Sequence, residues 1–225
     1  MASHAHADMT GGAISGRSLI EGGDVQRWAV GIHADVQERI LESPAGVEAK
    51  METTEPGVFA SCDLSRWLQI FATIGQSKMR IDGGEYSDYE MAWSAGGRLS
   101  FWETSIPKSS AFYGTLRLFG SYQFSDKGSG SISGFDYDWQ ENSASLALRL
   151  EKYHQTMHSY PWAAYVGPTW SDVDIELENT GAVSEAESTG IVAGIDVFFP
   201  NNIFFGYEVR VYEESSHGFQ LGVHF

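Results

Sequence analysis

Three arginines, Arg98, Arg117 and Arg149, stand in the polar phase of three successive segments that alternate apolar and polar residues, and Glu151 shares the face of Arg149. Asp35, Asp196, Glu208 and Arg210 hold the same phase in other segments. An enclosed face that gathers such groups can do one of two things. In a dry interior they must pair into a hydrogen-bonded network, because an uncompensated buried charge costs several kcal/mol. In a narrow wet passage, opposed basic and acidic walls set a transverse field that orders polar solutes and selects ions.

Hydrolytic and metal chemistry are less well provided for. Of the seven histidines, His4 and His6 lie in the N-terminal tail, His33 and His224 on polar faces, and His154 and His158 in a turn. His217 falls in the last loop beside Glu213, Glu214, Ser215 and Ser216, where it reads as a solvated residue rather than as part of a triad. Cys62 is the only cysteine, which excludes an intrachain disulfide and a paired-cysteine metal site. The 172–188 stretch carries Asp172, Asp174, Glu176, Glu178, Glu185 and Glu187 without a basic residue, yet lacks a twelve-residue calcium-loop pattern. These residues predict no enzyme, no cofactor and no metal.

The elements that must position these side chains are strands. Period-two alternation gives a strand two chemically different faces. It recurs over 27–41, 67–78, 91–102, 112–124, 143–152, 161–171, 190–199, 203–212 and 218–225. A further strand is expected over 45–60, where Val47, Ala49 and Met51 alternate with Glu48, Lys50 and Glu52 before Pro56-Gly57 interrupts. The total is about ten, with eight as the alternative count. Composition fits: 25 Gly and 30 aromatic residues in 225 suggest turns and strands. The formal net charge of −16 argues against nucleic acid as a partner. No run of 18 apolar residues exists to cross a bilayer as a helix.

Alternation alone does not say which face meets solvent. A soluble lipocalin-like barrel would bury the apolar face. Three features favour the inverse. The apolar faces carry no charged residue, as lipid contact requires. Large aromatics sort to the two ends of those faces, with Trp28, Phe101, Phe112, Trp162, Phe199 and Phe205 at one rim and Trp93, Tyr122, Phe124 and Trp170 at the other, as a bilayer's two interfaces select. Short turns such as Pro200-Asn201-Asn202 and Asp63-Leu64-Ser65 alternate with longer stretches, 125–137 and 172–188, which are expected to be outer loops, with a mobile Gly-Ser core at 128–133. Alternation in 172–176 suggests a strand projecting beyond the membrane.

The terminal segment, Gly218-Phe219-Gln220-Leu221-Gly222-Val223-His224-Phe225, resembles the C-terminal targeting strand of outer-membrane β-barrels, with Phe219, Leu221, Val223 and Phe225 as its insertion signal. The barrel region resembles the small outer-membrane barrels of the OmpA/OmpX-like class. That resemblance implies a closed antiparallel transmembrane β-barrel of the bacterial outer membrane, with short periplasmic turns and longer acidic outer loops. It also implies membrane lipid and the barrel-assembly machinery as partners. Residues 26–225 form the barrel. Residues 1–25 form a flexible N-terminal segment in which Ala5-His6-Ala7 has the form of a signal-peptidase site, so that 1–7 reads as a signal-peptide remnant or an ordinary tail. The expected role is non-enzymatic, structural or interactive, through outer loops that meet an unidentified surface partner or other membrane-complex subunits. A narrow pore is the alternative.

Overall fold

The computed structural model describes residues 6–8, 12–14, 28–43, 45–65, 67–107, 113–132, 135–152, 160–177 and 181–225. It is all-β: a closed antiparallel barrel of ten strands, with one single-turn 3-10 segment, Pro200–Asn202. A short hairpin of β1 (His6–Asp8) and β2 (Gly12–Ile14) precedes it. The barrel strands are β3 (Trp28–Glu42), β4 (Glu48–Asp63), β5 (Leu68–Ile81), β6 (Glu90–Ile106), β7 (Gly114–Ile132), β8 (Phe135–Lys152), β9 (Trp162–Leu177), β11 (Thr189–Phe198), β12 (Ile203–Val211) and β13 (Ser215–His224). β13 pairs with β3 from Ser216↔Gln37 to His224↔Ala29, which closes the ring. The short β10 (Gly181–Glu185) is extra.

β10 explains why two strand counts compete. β11, β12 and β13 end well below their neighbours, and above them β10 pairs with β9 on one side and β3 on the other. The ring is therefore ten strands wide at its base and eight strands, β3 to β10, at its head.

The two levels have opposite polarity. On β3, Trp28, Val30, Ile32 and Val36 point outward and are exposed, while His33 and Gln37 point inward and are buried. Beyond Val36 the outward positions become Glu38, Ile40 and Glu42, and the inward Leu41 is buried. β9 repeats this: Val166 and Trp170 face outward below, Asp172, Asp174 and Glu176 above, with Val173 and Ile175 turned in. β4 shows it in the other direction, because its outward Val58 and Ala60 follow outward Lys50 and Glu52. The base is thus apolar outside and carries the buried charges inside, beside two small apolar clusters around Phe59 and Phe119, whereas the head is charged outside and apolar inside. Eight strands leave an interior that side chains alone can fill, and Leu41, Met51, Met79, Tyr137, Trp139, Val173, Ile175 and Val183 fill it as one apolar core.

The segments expected as outer loops are accordingly mostly strand. β7 and β8 run on through 125–132 and 135–142, and β9 through 172–177. Gly128 is a bulge residue, not the core of a mobile loop: its φ is +82°, its N–H donates to Asp126 Oδ1 at 2.9 Å, and the register shifts between Asp126 and Ser129. The 45–60 segment is a strand, but its Met51 faces the head core rather than lipid. Gly57, which interrupts the pattern there, makes room. A Cβ at this position would lie 2.4 Å from His33 Nε2 and 2.6 Å from the Ile74 carbonyl oxygen. Pro200–Asn202 turns tightly because Asn201 and Asn202 adopt φ of +65° and +63°, a conformation asparagine tolerates better than most residues.

Trp139 sits at the centre of the head core, fully buried, and its indole N–H has no hydrogen-bond partner among the described residues. Trp139→Ala is expected to destabilise the protein by about 3–5 kcal/mol in urea unfolding from lipid or detergent. Trp139→Phe, which removes no satisfied hydrogen bond, should cost much less.

Candidate functional site

The interior of the base is the place where charged groups meet. Arg117 of β7 and Arg149 of β8 are direct cross-strand partners, an arrangement that repels unless carboxylates intervene. Three do. Arg149 donates from Nε to Glu151 at 2.9 Å and from Nη1 to Asp196 at 2.7 Å, and Arg117 lies 2.9 Å from Glu103 and 3.7 Å from Glu151. The side chains of all five are 1% exposed or less. Arg98 lies on the neighbouring strand β6. Register sets it opposite Ser121 and Gln69, and its guanidinium lies over the Phe119 ring, 4.8 Å from the centroid. Glu208 accepts from Tyr165 Oη at 2.6 Å and from Arg210 Nε at 2.8 Å. Asp35 meets His33 Nδ1 at 2.9 Å and is half-exposed to the interior space.

Glu103 could not be placed by alternation. Counting outward positions from Trp93 through Leu99 and Phe101 puts residue 103 outside, but a β-bulge between Ser100 and Trp102 shifts the phase. The visible trace is Phe101-Trp102, two adjacent aromatics that are both exposed.

A second network lies higher, where base meets head; Arg39 and Glu55 come from segments expected as strand, Lys127 and Glu185 from stretches expected as outer loop. Arg39 is within 3.4 Å of Glu141 and 3.0 Å of Glu185, donates to Ser216 Oγ at 2.9 Å, and lies 4.0 Å above the Tyr212 ring. Lys127 donates to Gln37, lies 3.9 Å from both Glu55 and Glu141, and faces the Trp139 ring. Glu185 holds β10 in place through Arg39 and Ser171. Burial keeps its carboxyl above the usual carboxylate range, although Arg39 and Ser171 favour the charged form. Between the networks is a cavity of about 60 Å³ lined by His33, Asp35, Glu55, Lys127, Glu141 and Arg210 among others. That is room for on the order of four waters.

Apolar clusters occupy both levels: the core described above lies in the head, and Ala29, Phe59, Phe198 and Phe204 pack together near the other end, with the His224 ring tilted against Phe204 at 4.7 Å. On the outside, Trp28, Phe101, Phe199 and Phe205 are exposed at the lower rim, and Trp93, Tyr122 and Trp170 at the upper. Trp162 and Phe124 are partly covered, Phe124 by Trp93 at 5.5 Å. Phe112, His154 and His158 lie outside the described residues. Phe219, Leu221, Val223 and Phe225 point outward along β13 and its end. Trp67, in the turn before β5, is an exposed aromatic that alternation did not mark. No metal-binding group of three or more His, Cys, Asp or Glu occurs among the described residues.

Among solved structures, the chain is similar to the transport unit of the autotransporter AIDA-I from Escherichia coli, with a TM-score of 0.47 and 11% identity over 93% of this chain and 92% of that one. It is also similar to the translocator domain of the autotransporter NalP from Neisseria meningitidis, with a TM-score of 0.40 and 14% identity over 92% and 90%. An outer-membrane channel from Pseudomonas putida gives 0.43 and 9% over 93% and 99%. No family model and no curated protein matches the sequence. The functional reading therefore rests on the chain's own geometry.

Arg149→Ala removes a buried cationic partner of Glu151 and Asp196 and is expected to cost about 3–5 kcal/mol. A double-mutant cycle of Arg149→Ala with Asp196→Ala, read by denaturant unfolding, should give a coupling of more than about 1 kcal/mol.

Proposed function

We propose that the chain is an integral β-barrel of a bacterial outer membrane, closed to solutes, whose head beyond the membrane is its working surface. The observation that carries this is the inversion of polarity at one level around the ring. From Trp28 to Val36 the outward face of β3 is apolar over nine residues, the length of a tilted strand crossing a hydrocarbon core. Aromatic residues bound that band above and below, and charge begins directly beyond it. A soluble binding barrel would bury this face.

Closure has a physical reason. A ten-strand ring encloses more volume than an eight-strand one, and an apolar filling would require large residues at every inward position. Long arginines with their carboxylates fill the space instead, and pairing offsets their desolvation. The head core then seals the mouth. The acidic outward positions of the head, Asp136, Asp138, Asp172, Asp174 and Glu176, keep its surface hydrated and leave it available to a partner at the cell surface.

The purified protein in planar bilayers is expected to show no steady conductance, and the expressed protein to fractionate with the outer membrane. A steady conductance that changes with Arg117→Ala would overturn closure in favour of a narrow pore through the charged interior.

A further inference from the structure

On the outward face of the last hairpin, His217 uses both ring nitrogens. Nδ1 is 2.7 Å from Tyr207 Oη, and Nε2 is 3.2 Å from Ser215 Oγ. Sequence placed His217 in a solvated loop; it belongs instead to β13, which begins at Ser215. The strand fixes the arrangement. Ser215 and His217 follow at i and i+2 on one face, opposite Val211 and Val209, and Tyr207, opposite Phe219, reaches His217 diagonally. The Tyr207 ring lies nearly parallel to the imidazole, with centroids 6.1 Å apart and planes 18° from parallel, and restricts its orientation.

With its proton on Nδ1, the imidazole donates to Tyr207 Oη and leaves Nε2 to accept from the Ser215 hydroxyl. This is the order of nucleophile, base and orienting group that nucleophilic catalysis requires. Its level in the membrane is equally specific. Ser216 pairs with Gln37, which puts Ser215 level with Glu38, the first outward charge of β3. Below it the exposed Phe219, Leu221 and Val223 continue down the same face as an apolar track. On the ledge above, Lys50 Nζ is held between Glu38 at 2.8 Å and Glu214 at 3.3 Å. A lipid whose chain lay along this track would present its ester linkage, at the junction of hydrocarbon and headgroup, to Ser215.

We propose that Ser215 and His217 form a hydrolytic site for the acyl ester of a membrane lipid, with Tyr207 as the positioning residue. Ser215 Oγ attacks the ester carbonyl carbon as its proton passes to His217 Nε2. Collapse of the tetrahedral adduct breaks the bond to the alcohol oxygen, which leaves with the proton from Nε2. Water, giving a proton to Nε2, attacks the acyl-serine, and return of that proton to Ser215 releases the fatty acid. The site rests on the membrane placement proposed above but not on closure of the lumen.

The test uses the full chain reconstituted in phosphatidylethanolamine vesicles, where a heat-shifted gel mobility shows that it is folded and inserted. A fluorophosphonate probe should form an adduct that mass spectrometry maps to Ser215, and vesicle lipids should release fatty acid. Ser215→Ala should abolish both, and His217→Gln should slow labelling by about 100-fold or more. Tyr207→Phe should slow it about tenfold and move the acid limb of its pH profile, which a purely structural role would leave in place. In inserted protein, an absent adduct, labelling indifferent to His217→Gln, or fatty-acid release that survives Ser215→Ala overturns the site. A chain that does not insert overturns the membrane placement itself, and the lipid site with it.

Discussion

Everything in this structure depends on the seam between β3 and β13. A sheet surrounded by hydrocarbon cannot leave an edge of unbonded N–H and C=O groups, so the first and last barrel strands must meet. They do so at close range. At Gly31, opposite Gly222, a Cβ would lie 2.2 Å from the Leu221 carbonyl oxygen and 2.6 Å from the Gly222 Cα. Closure fixes the strand number, the strand number fixes the internal volume, and the volume dictates what must fill it.

The filling follows two solutions at two widths. Where ten strands surround the axis, guanidinium groups reach across the gap and end on carboxylates from other walls, as Arg149 does on passing over β9 to Asp196 of β11. Where β10 narrows the ring to eight, ordinary apolar side chains suffice. The second charge network, around Arg39 and Glu141, sits at the step between the two widths, and it ties β10 to the wall of the base through Glu185. Loss of that tie would unpin the narrowing strand and expose the head core from the side.

Much of this was legible in the order of residues, and the remainder was hidden for definite reasons. The strands from 190 to 225 could be read because their outward face stays apolar over most of its length, changing only at Ser215 and His217, where β13 begins. The head could not, because alternation reports a change of face and a change of surroundings in the same way. Met51 looks like a lipid-facing residue until the ring turns it inward to the head core. Lys127 and Glu141 were lost with the strands that carry them, and Glu103 was lost to one bulge. The central arginines were visible as a set, but their partners were set by distances across the barrel that no local pattern encodes.

The inverted head also bears on how the molecule comes to exist. In the membrane placement proposed above, its outward carboxylates on β8 and β9 belong on the far side of the bilayer, and its apolar core has no use until they arrive there. During assembly these segments must cross the hydrocarbon layer with their charges hydrated, while the ring that shelters them is still open. The head is then the last part to become compact, and its collapse on the far side locks the chain against sliding back. Direction of passage is thereby written into the chain as a change of phase between lipid-facing and water-facing side chains.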